Sequence, residues 1–170
     1  MDKQSILLGF LKKYRAVIED SKAKNSTEFA NYSSFNDIAG LKKLIQGVNN
    51  EVAEAMKSAE GSKQLQKIIQ KIGEEMKDIF FIENNIVRVE NNMNIERRPS
   101  FISKMLNCKP FAGLNEILSS IPLFSYKARL EKEAEKGYDK LSDYALKSYD
   151  LTDKFRRLMH KLVEKESARA

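Results

Sequence analysis

Residues 126–166, YKARLEKEAEKGYDKLSDYALKSYDLTDKFRRLMHKLVEKE, decide the fold of this chain because they form its longest uninterrupted periodic pattern. The stretch contains no proline and a single glycine, Gly137. Its apolar residues recur at alternating steps of three and four, which predicts one long amphipathic helix that is buried on one side. The stripe consists of Ala134, Tyr138, Leu141, Ala145, Phe155, Met159 and Leu162, with a second row of Tyr144, Leu151 and Leu158 beside it. Ser148 and Thr152 interrupt the stripe with hydroxyl groups.

Three further patterns of the same kind predict an all-α fold, an elongated helical bundle of about four main helices within a single domain of residues 1–170. The predicted helices cover residues 3–20, 35–60, 62–94 and 125–166. Gly61 and Ser62 mark the boundary between the second and third helices. Each apolar stripe needs a surface that buries it, and antiparallel packing within the chain or self-association into a dimer would provide one.

The third predicted helix carries apolar residues on more than one side. Its main stripe runs from Leu65 to Phe80, and Phe81, Ile82 and Val87 lie beside that stripe. A helix that is apolar over most of its circumference is buried on most sides. This pattern therefore predicts that the third helix is the central and most enclosed one.

The three prolines of the chain define an irregular, proline-bounded connector over residues 94–125. Pro99, Pro110 and Pro122 all fall within it, and its many aromatic and aliphatic residues distinguish it from a flexible polar linker. Two interpretations stay open for these side chains. They either dock into the core of the bundle or form an exposed apolar patch that binds a partner.

Composition limits the classes of function and the compartment. The net charge of +6 is spread along the chain, whereas nucleic-acid binders usually concentrate their basic residues on one face, so the charge pattern disfavours a nucleic-acid partner. Cys108 is the only cysteine, which excludes an internal disulfide. No run approaches the roughly 20 apolar residues of a transmembrane helix. We expect a protein without a transmembrane segment that is cytoplasmic or is exported without a cleavable signal peptide.

The sequence offers little for catalysis, and we predict no catalytic residue, no cofactor and no metal site. A structural zinc site needs four ligands from cysteine and histidine, and the chain has only Cys108 and His160. A nucleophilic Cys108 would also need an orienting group and an oxyanion site, and no motif marks either. A cysteine-based hydrolase remains a minor alternative that alkylation of Cys108 would test.

Two sets of residues are candidates for binding. The first is a partner-binding set of apolar residues on the last helix and in the connector: Phe155, Leu158, Met159, Leu162, Phe101, Phe111 and Phe124. The second is an anion-binding set of cations: Arg97, Arg98, Arg156, Arg157 and Lys161. Ser100 follows the first two arginines in a pattern that suits a basophilic kinase.

The leading functional hypothesis is a non-enzymatic interaction or scaffolding module that binds a protein partner, or a second copy of itself, through helix faces. It rests on the missing catalytic motifs and on helices longer than a compact bundle requires. The alternative is peripheral binding to an acidic phospholipid membrane by a basic, amphipathic helical domain, for example within a secreted bacterial effector.

Overall fold

The computed structural model describes residues 2–26, 38–96 and 126–169, and in this part of the chain every regular element is an α-helix. The helices are α1 (Lys3–Ser26), α2 (Ile38–Ser58), α3 (Lys63–Glu96) and α4 (Tyr126–Ser167). The predicted all-α bundle is confirmed. The last two helices begin and end within two residues of their predicted bounds. The first is longer than predicted, because the polar residues that follow Asp20 continue it to Ser26.

The four helices form an up-down-up-down bundle in which α1 packs against α2 and α4, and α3 packs against α2 and α4. Two contacts show the antiparallel arrangement of α1 and α4. The Nζ atom of Lys3 lies 2.8 Å from Oε1 of Glu166, and Nζ of Lys22 donates a hydrogen bond of 3.3 Å to the hydroxyl of Tyr149. The start of α1 therefore lies beside the end of α4. Only the connection between α2 and α3, residues 59–62, is short among these helices.

The main core contains buried apolar side chains from all four helices. Its most deeply buried members include Leu7, Tyr14, Val48, Leu65, Ile69, Ile72, Met76, Ile79, Ile86, Leu141 and Phe155. A separate small cluster of Val89, Leu130 and Ala134 joins only α3 and α4. These two helices have 34 and 42 residues, against 24 and 21 in α1 and α2. Their additional length makes the bundle elongated.

Gly61 and Ser62, the predicted boundary between the second and third helices, form the tight connection between α2 and α3. Gly61 has a φ of 100°, a left-handed conformation that residues with a Cβ rarely adopt. Ser62 then caps α3, because its hydroxyl accepts a hydrogen bond of 3.3 Å from the backbone N–H of Leu65. The chain reverses direction within four residues, and α2 and α3 pack as a hairpin.

The third helix packs against α1, α2 and α4, and Val87 beside its main stripe is buried as predicted. Its main stripe is fully buried from Leu65 to Ile79, but the Phe81 side chain is 52% exposed. A helix of a four-helix bundle keeps one side towards solvent, and Phe81 lies on that side. Phe81 is therefore the exception to the burial expected beside the stripe of α3.

We expect Gly73→Ala to destabilise the bundle by about 1–2 kcal/mol, because α2 approaches α3 closely there. A Cβ at Gly73 would lie well inside van der Waals contact of Cγ2 of Val52. Valine has one strongly preferred side-chain rotamer in a helix, so Val52 cannot easily turn away. Urea unfolding measures the change.

Gly9→Ala is the matched control, because nothing lies within 4 Å of the Cβ that it adds. Alanine favours a helix over glycine, and this variant should gain up to about 1 kcal/mol. Equal stability of the Gly9→Ala and Gly73→Ala proteins would contradict the close packing of α2 on α3.

Candidate functional site

Three residues that we predicted to bind a partner lie in the core. The exposed fractions of Phe155, Met159 and Leu162 are 0%, 3% and 6%. The ring of Phe155 packs against Phe10 of α1, with 6.3 Å between the ring centroids. Leu158 is partly buried against the same core. The last third of α4 is thus covered by α1, and we correct Phe155, Met159 and Leu162 from binding residues to core residues.

The remaining predicted residues divide into exposed cations and residues outside the described part of the chain. Arg156, Arg157 and Lys161 are exposed on α4, and one of them, Arg157, pairs with Asp153 at 2.6 Å. His160 is also exposed on α4. The predicted sites that lie outside the described residues are Arg97, Arg98, Ser100, Phe101, Cys108, Phe111 and Phe124.

A buried polar pair connects α1 to α3. The hydroxyl of Tyr14 donates a hydrogen bond of 2.9 Å to Oε2 of Glu75, and both side chains are buried. Burial raises the pKa of Tyr14 far above its usual value, and the negative charge of Glu75 raises it further. Tyr14 therefore holds its proton firmly, which suits a structural hydrogen bond better than proton transfer.

A second polar group connects α3 to α4. The hydroxyl of Tyr144 donates to the carboxylate of Asp78, and Nζ of Lys140 lies 2.8 Å from Oδ2 of the same carboxylate. Burial, followed by the hydrogen bond to Asp78, raises the pKa of Tyr144. Burial alone would raise the pKa of Asp78, but the hydrogen bonds from Lys140 and Tyr144 outweigh it and hold that pKa below its usual value.

An apolar groove opens along the seam between α1 and α2, with α3 at its base. Its cavity volume is about 480 Å³. The lining residues are Lys13, Gly40, Leu41, Lys43, Leu44, Gly47, Val48 and Phe80. Leu41 and Val48 belong to the buried floor, whereas Leu44 is 41% exposed. We call this feature the α1–α2 groove.

Lys13 and Glu51 form an ion pair at one end of the α1–α2 groove. On the other side of this pair is a smaller cavity of about 240 Å³, which contains Gly9 and Glu54 and continues along the same seam. The Oε2 atom of Glu51 is buried and has no hydrogen-bond partner within the described chain. The seam thus provides an apolar surface with charged groups at one end.

A second groove of about 240 Å³ lies between α1 and α4 and is more polar. Its lining residues are Tyr14, Arg15, Ile18, Glu19, Ser148, Tyr149, Thr152, Asp153 and Arg156. It contains one predicted anion-binding residue, Arg156, together with both hydroxyl residues that interrupt the stripe of α4. We call this feature the α1–α4 groove.

Our sequence reasoning missed both grooves, although two signals were present. Gly40 and Gly47 are seven residues apart, so they lie on one face of α2 at a spacing of two turns. Missing side chains at this spacing leave a depression on either side of Leu44. In α4, Ser148 and Thr152 mark the side where the helix faces a polar groove instead of the apolar core.

The described residues contain no candidate metal site and no candidate membrane span. Across residues 2–26, 38–96 and 126–169, no three side chains of histidine, cysteine, aspartate or glutamate come together as a metal site would require. None of the helices in these ranges has an apolar stretch long enough to cross a membrane.

The fold and the grooves define an all-α four-helix bundle with two open seams along α1. Comparisons with protein-family models, with curated proteins and with solved structures find no match to this chain. A functional conclusion therefore has to come from the grooves themselves.

Proposed function

We propose that this chain is a non-enzymatic helical interaction module and that it binds an acidic amphipathic helix of a partner protein in the α1–α2 groove. The observation that carries the proposal is the open apolar space around Leu44. This leucine is 41% exposed, whereas its neighbours Leu41 and Val48 are 8% and 1% exposed. An apolar groove of this size, about 480 Å³, is typical of a binding surface.

The shape of the groove favours a helix as its occupant. It follows the seam between two antiparallel helices, and Gly40 and Gly47 are about 10 Å apart along α2 at 1.5 Å per residue. A Cβ at Gly47 would meet nothing within 4 Å, so the backbone of α2 is open to close approach there. An amphipathic helix presents apolar side chains at similar intervals along one face and can lay them into such a groove.

The charge around the groove favours an acidic partner. Lys13 on the α1 wall is already paired with Glu51. Residues 38–50 of α2 contain Lys42 and Lys43 and no acidic residue. A partner helix with aspartate or glutamate beside its apolar stripe would meet these cations at the edges of the groove. Complementary charge of this kind selects partners and orients them on the surface.

A single tryptophan placed in the groove tests whether the groove is open. The chain has no tryptophan, so Leu44→Trp introduces a unique fluorophore, with Leu146→Trp on α4 as the exposed control. We expect acrylamide to quench both indoles in the free protein. Protection of the Leu44→Trp indole in the free monomer would mean that the chain itself covers the groove, and protection that grows with protein concentration would mean that a second copy does.

Synthetic helical peptides test the class of partner. We expect a peptide with leucines at helical spacing and flanking glutamates to shift the Leu44→Trp emission to the blue, and the same peptide with flanking lysines to have no effect. In anisotropy titrations of the labelled acidic peptide, Leu44→Gln should weaken binding about tenfold, the loss expected from one apolar contact. Leu146→Gln removes an exposed leucine elsewhere and should leave binding unchanged. Equal losses in the two variants, or a preference for the basic peptide, would disprove the proposal.

Membrane binding is the competing outcome. Arg156, Arg157 and Lys161 are exposed and suit acidic head groups, but their apolar neighbours Phe155 and Met159 are buried and cannot insert into a bilayer. We therefore expect no salt-sensitive sedimentation with phosphatidylserine vesicles. If the chain sediments with these vesicles and does not bind the acidic peptide, the membrane function replaces the one proposed.

A further inference from the structure

We propose that the α1–α4 groove binds a phosphate monoester between Arg15 of α1 and Arg156 of α4. Both arginines line the groove, and each comes from a different one of its two walls. Within the part of the chain that the structure describes, neither guanidinium forms an ion pair. The planar guanidinium group donates paired hydrogen bonds that match the oxygens of a phosphate. This proposal does not depend on the α1–α2 groove, which follows a different seam.

The acidic residues of the groove do not cancel the charge of these arginines. Glu19 lies 3.7 Å from Nζ of Lys22, and Asp153 lies 2.6 Å from Arg157. Each acid is thus balanced by a cation on its own helix. Arg15 and Arg156 remain as two uncompensated positive charges, and this charge suits a doubly charged phosphate monoester better than a singly charged carboxylate.

Two hydroxyl groups of α4 add donors beside the arginines. Thr152 lines the groove at a position of the helical stripe where an apolar residue would otherwise pack. The hydroxyl of Tyr149 accepts a hydrogen bond from Lys22, so its own proton is free to be donated. Ser148 contributes less, because its hydroxyl already donates to the carbonyl of Ala145 at 2.7 Å. Thr152, which interrupts the apolar stripe of α4, can therefore donate a hydrogen bond to a phosphate in this groove.

The inner wall of the groove is suited to the organic part of the ligand. Tyr14 and Ile18 line the bottom of the groove, where the side chains are 0% and 3% exposed, so the groove ends on the apolar core. The volume of about 240 Å³ has room for a small apolar group next to the phosphate. A soluble aryl or alkyl phosphate and the head group of phosphatidic acid share this chemistry, and the test separates these two sources.

Phenyl phosphate, titrated by calorimetry into the whole protein, tests the site. We expect Arg15→Gln and Arg156→Gln each to weaken binding about tenfold, since each removes charged hydrogen bonds to the phosphate. Lys161→Gln is the matched control, because it removes the same charge from the exposed face of α4 one turn beyond the groove. It should change the affinity less than about twofold. All three residues are exposed, and thermal unfolding should show that each variant is folded.

Vesicles of phosphatidylcholine with phosphatidic acid form the second arm, with phosphatidylserine vesicles of equal charge for comparison. A loss of binding in Arg15→Gln and Arg156→Gln but not in Lys161→Gln supports the site. If phenyl phosphate alone binds, the ligand is a soluble phosphate ester. If the phosphatidic acid vesicles bind, the ligand is a lipid head group. An equal loss in all three variants would show only general attraction to the basic helix and would overturn the proposal. So would the absence of any binding tighter than about 1 mM in both arms.

Discussion

Phe155→Ala is expected to destabilise the bundle by about 3–5 kcal/mol, the usual cost of removing a fully buried phenylalanine. The side chain is 0% exposed and contacts Phe10 of α1, so its removal leaves a cavity between α1 and α4. A loss of this size is a large part of the roughly 5–15 kcal/mol by which a domain is stable. Urea unfolding followed by circular dichroism measures the change.

Leu146→Ala is the control for this prediction. It shortens an apolar residue on the same helix, but Leu146 is 76% exposed and should change the stability by no more than about 0.5 kcal/mol. If Phe155→Ala instead left the unfolding curve unchanged and affected only binding to a partner, Phe155 would be a surface residue. The result would then contradict the packing of α1 over the end of α4.

The predictions about secondary structure succeeded because apolar periodicity is a local signal. The stripe of α4 specifies a helix and its buried side regardless of what covers that side. The same stripe cannot say whether its cover is another helix of the chain or a separate partner, since both need the same apolar residues. Phe155 was assigned to binding for this reason. The structure shows that the stripe of α1, which itself needed a partner, covers it.

The grooves were harder to predict because they depend on pairs of helices and on missing side chains. Gly47 helps to form the α1–α2 groove because it has no side chain to fill the space beside Leu44. Apolar periodicity depends on side chains that are present, so it does not reveal such a gap. Arg15 and Arg156 are 141 positions apart in the chain. Only the antiparallel packing of α1 on α4 brings them to one groove, and no pattern in either helix specifies the register between them.

The bundle should lose stability steeply above about pH 10, and Tyr14 should cause much of the loss. In the unfolded chain a tyrosine releases its proton near its ordinary pKa of 10.0, but in the folded protein burial and Glu75 keep the proton on Tyr14 to a higher pH. Above pH 10 the unfolded state therefore binds fewer protons than the folded state. While Tyr14 is ionised in the unfolded chain but still protonated in the folded protein, this residue lowers the free energy of unfolding by about 1.4 kcal/mol for each pH unit. Urea unfolding at intervals between about pH 8 and pH 11 would show the slope.

Tyr14→Phe separates this effect from the titration of the lysines. Near neutral pH the variant should be less stable by about 1–3 kcal/mol, because the buried oxygen of Glu75 loses its donor. The variant has no phenol at position 14 to ionise, so its deficit relative to the unmodified protein should shrink as the pH rises above 10. Tyr149→Phe, at a 66% exposed position, should show no such convergence. Parallel stability curves for Tyr14→Phe and the unmodified protein would mean that Tyr14 ionises as easily in the folded chain as in the unfolded one. The buried bond between α1 and α3 would then not exist in solution.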